Sequence, residues 1–127
     1  MAEKRFGLSR DERVRKRADF DRVFREGGRM ADGQVFMRFI RNGTQVTRLG
    51  VAVPARFGKA AKRNRARRLL KEAFRLHKHD FPPGLDVILL PGRGWSDPAL
   101  HELEESLLRI AGRLSQREQR EERHEHD

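Results

Sequence analysis

The chain has 127 residues, 36% hydrophobic and 38% charged, which allows one domain with one modest core. A net charge of +10 and a sequence pI near 11.2 bias its partner toward nucleic acid or an anionic surface. There is no cysteine, which excludes disulfides and thiolate-bound zinc, and no apolar run approaches the roughly 20 residues of a membrane span.

From the amino end, MAEKRFGLSRDERVRKR is basic but lacks the apolar stretch of a signal peptide, and Glu3, Asp11 and Glu12 argue against a mitochondrial transit peptide. A cytoplasmic protein is expected. Ser9 and Glu12 have the spacing of a capping box, so a first helix is predicted to start there. Val14, Ala18, Val23 and Phe24 give it a stripe, with Phe20 beside them, until Gly27-Gly28 ends it. By periodicity alone, Phe20 and Phe24 read as core packing. Two β-rich runs follow, Val35 to Ile40 and Val46 to Val53, around Asn42-Gly43, and read as a hairpin. Pro54 closes the second. A basic helix is predicted from about Phe57 to His79, stopped by Pro82-Pro83-Gly84. Leu85 to Leu90, LDVILL, suits a buried strand. After the Pro91–Gly94 loop, Ser96 or Asp97 is the expected cap of a last helix with Pro98 in its first turn. Leu100, Leu103, Leu107, Leu108, Ala111 and Leu114 mark its buried stripe. The pattern is one α+β domain over residues 1–114, helices against a small mixed sheet, then a charged tail, 115–127, read as frayed helix or disorder. A strand on each side of the basic helix implies a crossover, whose usual hand is right.

The charge is concentrated. Residues 59–75 hold eight basic groups and one acid, +7 of the +10, whereas residues 101–127 are net −3. The stretch KRNRARRLLKEAFR, Lys62 to Arg75, therefore admits three readings: a disordered basic arm, a solvated helix face, or a helix that grips a polyanion. On a helical wheel Ala66, Leu69, Leu70, Ala73 and Phe74 share one face. Asn64, Arg67, Arg68, Lys71 and Arg75 lie opposite, with Arg63 and Arg65 on the flanks. A disordered arm needs no leucine stripe, and a merely soluble face intersperses acids at i,i+4, where only Glu72 is present. The polyanion-gripping helix is the reading that survives. Arginine outnumbers lysine there, which suits forked phosphate contacts and stacking on bases.

Leu49 to Arg75, LGVAVPARFGKAAKRNRARRLLKEAFR, resembles the signature of the protein subunit of bacterial ribonuclease P, with Arg63-Asn64-Arg65 in its basic helix. The likeness extends to Ala18-Asp19-Phe20 through Phe24, to Asp86-Val87-Ile88 and to the terminal helix. It implies a two-layer sandwich in the order α-β-β-β-α-β-α, with an extra strand near Arg29 to Ala31 and a left-handed crossover around the basic helix. It also implies a function: binding the RNA subunit and the 5′ leader of precursor tRNA, so that Mg2+-dependent, RNA-catalysed cleavage removes the leader. The Mg2+ is expected to be held mainly by the RNA subunit and substrate. Lys59, Lys62, Arg63, Asn64, Arg65, Arg67, Arg68, Lys71 and Arg75 are the expected RNA contacts. Arg17, Phe20, Phe24, Arg38 and Arg56 are expected in the leader cleft. No side chain of the chain itself is assigned a catalytic or metal-binding role, and the protein is expected to be monomeric apart from the ribonucleoprotein, with no membrane partner. The chain departs from the family pattern at two points. It has no tyrosine, so contact from the strand near Arg38 falls to Arg38 itself, and Ala55-Arg56 stands where paired lysines are common.

Other readings are weaker. A ribosomal-type structural RNA-binding protein is the rival binding class. A self-sufficient nuclease would need more than His77, His79 and Asp80, since the two histidines point to different helix faces. His124 and His126 suggest at most adventitious metal. Gly58-Lys59 lacks the partner glycine and the Ser/Thr of a phosphate loop. Trp95 reads as a packing anchor.

Overall fold

The computed structural model describes residues 7–126, with the side chains of 122–126 outside the described set. The expectations for Glu3, His124 and His126 lie outside the described residues and side chains. Three helices, α1 (Arg17–Glu26), α2 (Ala60–His77) and α3 (Leu100–His126), accompany four strands, β1 (Gly28–Asp32), β2 (Val35–Arg41), β3 (Arg48–Val51) and β4 (Leu85–Pro91). The sheet runs β1-β2-β4-β3; β1–β2 and β2–β4 are antiparallel and β3–β4 is parallel.

The predicted hairpin is not formed. β2 and β3 are separated by β4, because a strand buried on both faces (Leu85 to Leu89) belongs in the middle of a small sheet. Asn42 instead builds a loop, accepting the Thr44 amide at 2.9 Å and donating to the Val46 carbonyl at 2.9 Å. The hairpin that does form joins β1 to β2 through Gly33-Gln34, with Gly33 at φ +56°, where a glycine is unstrained. β1 contains the extra strand implied near Arg29 to Ala31.

The first helix also begins later than the capping box suggests. The Glu12 carboxylate does accept from the Ser9 amide at 3.1 Å, but the motif closes only a 3-10 turn, Arg10–Glu12. Arg13 is then extended and bridges Leu49, with the Val14 amide donating to the Leu49 carbonyl at 2.9 Å. Pairing with the edge of β3 satisfies backbone groups that a helix would have used. At the other end, α3 starts at Leu100, so Pro98 precedes it, and Ser96 bonds Gln34 instead of capping. The helix continues through the segment read as a frayed tail, where Arg117 lies over the Phe39 ring at 5.8 Å and Arg41 reaches Glu118 and Glu121.

Alternation sorts the strands into two faces. Val35, Met37, Leu49, Leu85, Val87 and Leu89 enter the main core with Leu70, Ala73 and Phe74 of α2 and Leu103, Leu107 and Ile110 of α3. The opposite face presents Arg48, Gly50, Asp86 and Ile88, and α1 crosses part of it with Val23 fully buried. There the 1%-exposed Asp86 receives Arg48 Nε at 2.7 Å, Arg48 Nη2 at 2.5 Å and Asn42 Nδ2 at 2.9 Å. Arg48 also faces Asp19 of α1 at 3.6 Å. Burial pulls the Asp86 pKa up, yet the hydrogen bonds from Arg48 and Asn42 and the charges of Arg48 and Arg22 outweigh it, leaving it below the usual carboxylate value.

Asp86→Ala should cost about 3 kcal/mol in urea unfolding, the lower end for a buried pair losing one partner, because Arg48 keeps some solvent access. A lowered folded-state pKa means that the carboxylate stabilises the fold above its unfolded value, about 4, and that this is lost as pH falls through the lower native value. Unfolding curves taken from pH 6 down to about pH 3 should therefore fall more steeply for the native chain than for Asp86→Asn.

Candidate nucleic-acid interface

α2 carries the two faces its sequence predicts. Ala66, Leu70, Ala73 and Phe74 are at most 2% exposed, and Leu69 packs against the same core. Short 3-10 turns, Ala55–Phe57 and Lys78–Asp80, flank the helix, which is therefore shorter at both ends than the predicted Phe57 to His79. On the outer face Asn64, Arg65, Arg67, Arg68 and Lys71 are exposed. Asn64 accepts from Arg67 Nη1 at 3.0 Å, and among the described residues Arg65, Arg67, Arg68 and Lys71 make no ion pair. Arg75 differs: Glu72 takes its Nε at 3.0 Å and pairs with its guanidinium. Arg63 is half-buried on the flank, with its Nε buried and unpartnered, a rare condition in native proteins. Lys59 occupies the N-cap position, and Lys62 holds its ammonium 5.1 Å from the Phe57 ring centroid. Trp95 meets Phe57 edge-on at 5.9 Å and packs against the core, as its anchor reading requires.

The expected cleft residues separate into two groups. Phe20 is half-buried beside Gly50, in a pocket of about 210 Å³ that also takes in Arg13, Arg15, Arg67 and Lys71. Phe24 is 37% exposed, so the core reading fails for it, and Arg38 lies over its ring at 5.8 Å. Arg38 donates from Nη2 to the Phe24 and Gly27 carbonyls, at 2.9 and 3.0 Å, and from Nε to Gly28 at 3.2 Å. It thus closes the carboxyl end of α1, where a cation is favoured. Arg17 opens α1 and Arg56 sits in the turn after β3, both exposed.

Arg13 and Arg15 are the residues that the sequence reading missed. The alternation Arg13-Val14-Arg15, with only Val14 buried, is the period of an extended segment. Tertiary ties hold this segment in place: Lys78 donates to Glu12 at 2.9 Å and to the Gly7 carbonyl at 2.5 Å, and Arg13 Nη2 to Leu8 at 2.9 Å. His77 meets Glu104 at 2.9 Å and Asp80 at 3.4 Å, a link between α2 and α3. Among the described residues no group of three carboxylate or imidazole side chains is placed to hold a metal, so the donor set does not fit a protein-held Mg2+ cage. No helix among them is long and apolar enough to cross a membrane.

A mixed sheet covered by a helix with an exposed cationic outer face defines a small α+β protein of the kind that presents a basic footprint. The Ribonuclease P family model matches residues 8–115, and the chain belongs to the family of ribonuclease P protein components. It is 40% identical over 100 residues to the protein component of Pelotomaculum thermopropionicum, covering 79% of this chain and 89% of that one. It is 36% identical to that of Thermotoga petrophila, covering 83% and 97%. Among solved structures, the ribonuclease P protein of Thermotoga maritima superposes with a TM-score of 0.72 at 34% identity, over 80% of this chain and 96% of that one. The Staphylococcus aureus protein gives 0.67 at 27% identity, over 82% and 94%.

Arg65→Ala with Arg68→Ala should leave the circular dichroism spectrum and melting temperature near native values, since neither side chain touches the core. The double variant should flatten the salt dependence of RNA binding by about 0.7 logarithmic units of slope for each phosphate no longer engaged. A drop in helix content in that variant would mean that the exposed face had been misassigned.

Proposed function

We propose that this chain is the protein subunit of a ribonuclease P ribonucleoprotein that binds the RNA subunit through α2 and the 5′ leader of precursor tRNA beside α1. The observation that carries the reading is the arrangement of α2. Ala66, Leu70, Ala73 and Phe74 of its apolar face are buried to within 2% exposure and Leu69 is partly buried beside them, while Arg65, Arg67, Arg68 and Lys71 are exposed with no ion pair among the described residues. Unneutralised cations this dense repel one another, and RNA phosphates relieve that repulsion.

The division of labour follows from the side chains. Guanidinium groups on a rigid helix fix an RNA in register through forked phosphate contacts. Phe20 and Phe24, on a separate helix, offer rings to unpaired bases of the leader, each stack being worth about 1–3 kcal/mol. Arg17 and Arg56 flank that region as phosphate contacts. Hydrolysis of the precursor, with the Mg2+ it requires, belongs in this reading to the RNA subunit and the substrate. The protein's part is to hold precursor in preference to mature tRNA. A cytoplasmic setting and a single protein copy per particle accompany the reading.

The test is reconstitution. Added to a bacterial ribonuclease P RNA at low Mg2+, the purified chain should restore cleavage of precursor tRNA at the mature 5′ end. An RNA that binds the chain yet stays inactive would favour a purely structural RNA-binding role. With about five phosphates engaged and release typical of single strands, the salt slope should be about −3.5. Affinity should then fall roughly a hundredfold from 50 to 200 mM salt in a filter-binding assay.

A further inference from the structure

Gly50 lies on the face of β3 that α1 crosses, next to Arg48 and beside Phe20. A Cβ at this position would come within 2.7 Å of Phe20 Cζ and 2.9 Å of its Cε1, with Val14 Cβ at 3.3 Å. A contact under 3 Å forces one of the two groups to shift, so the tip of the ring rests where a side chain would otherwise stand. Gly50 is not one of the described glycines with positive φ, so freedom to adopt unusual torsions is not what the site uses. What matters is the missing methyl group.

The same ring lines the pocket of about 210 Å³ that brings Arg13, Arg15, Arg67 and Lys71 around it. Two of these cations come from the extended segment bridged to Leu49 and two from the outer face of α2. Contacts with β3 at two adjacent residues of α1's first turn seat the ring relative to them. Asp19, its neighbour, faces Arg48 at 3.6 Å, and Arg48 is held by Asp86. Phe20 itself settles onto Gly50. A ring displaced outward by a methyl group would fill the space that the four cations surround.

We propose that Gly50 is a specificity-determining position: by lacking a side chain it seats Phe20 low against β3 and keeps open, among Arg13, Arg15, Arg67 and Lys71, a station for one unpaired nucleotide of the leader. The aromatic ring takes the base and the cations take the adjoining phosphates. The inference rests on the leader-binding reading above and adds to it the residue that sets the depth of the station.

The experiment is a double-mutant cycle on the reconstituted particle, comparing precursor tRNA with a leader of several nucleotides against one with a single leader nucleotide. Gly50→Ala should lower the affinity gained from the longer leader on the order of tenfold, the scale of one base–aromatic stack. Its affinity for the RNA subunit should stay unchanged. In a Phe20→Ala background the same substitution should have no further effect on that gain, because the ring it displaces is absent. Phe20→Tyr provides the reciprocal variant and guards against a Gly50→Ala chain that does not fold. Its added hydroxyl extends from Cζ toward Gly50, so leader affinity should fall although an aromatic ring remains. Full leader affinity in Phe20→Tyr, or an undiminished Gly50→Ala effect without Phe20, would overturn the proposal. If Phe20→Ala alone leaves the leader gain intact, the leader-binding reading of Phe20 fails instead, and the proposal falls with it.

Discussion

An aspartate that is 1% exposed stays ionised only if its neighbours replace the water it has lost, and at Asp86 they do. Arg48 reaches it with two nitrogens and Asn42 with one, so a central strand, an edge strand and the loop between β2 and β3 are joined at one carboxylate. Arg48 then turns toward Asp19, which brings α1 to the same point. Hydrophobic burial on the other sheet face is non-directional and would accept several registers of β3 against β4. A bidentate guanidinium–carboxylate contact accepts few. The parallel pairing of Arg48 with Asp86 is therefore fixed by charge as well as by backbone.

That register decides what the two surfaces of the molecule can do. With β3 at the sheet edge, its outer side is free to take the extended Arg13-Val14 segment, and Gly50 comes to lie under Phe20. α2, leaving β3 and returning to β4, must cover the apolar face and turn its arginines outward. The cations of α2 and those of the amino-terminal segment then approach the same pocket from different parts of the chain. Two cationic segments distant in sequence thus share one surface.

Arg38 has a structural task beside the role that the family resemblance implies for it. The departure from the family pattern in this strand, with no tyrosine available, left Arg38 as the expected leader contact. Its Nε and Nη2 donate to the Phe24, Gly27 and Gly28 carbonyls, and its guanidinium lies over the Phe24 ring. These bonds close the carboxyl end of α1. Arg75 is similar, since Glu72 neutralises part of what the helical wheel counts as free charge. The Arg38 contacts could not be read from residue type or spacing, because folding brings their acceptors into reach, whereas Glu72 stands three residues before Arg75 on the same helix and is legible as a local pair.

By itself the sequence determined the elements whose information is local and periodic. The apolar stripe and cationic face of α2, the buried run of β4 and most of the stripe of α3 follow from spacing, although Leu108, expected in that stripe, is 42% exposed because it turns away from the side of α3 that Leu103, Leu107 and Ile110 bury. Tertiary structure decided the pairings. The Asn-Gly between two β-rich runs was overridden as a hairpin signal, and the capping box at Ser9 forms but opens only a 3-10 turn in place of the expected helix. Long-range partners, Leu49 for Arg13 and β4 for both β2 and β3, satisfied the same backbone groups while burying more apolar surface. The pocket at Phe20 belongs to this second class, since its walls come from three separate parts of the chain and its depth from a side chain that is absent.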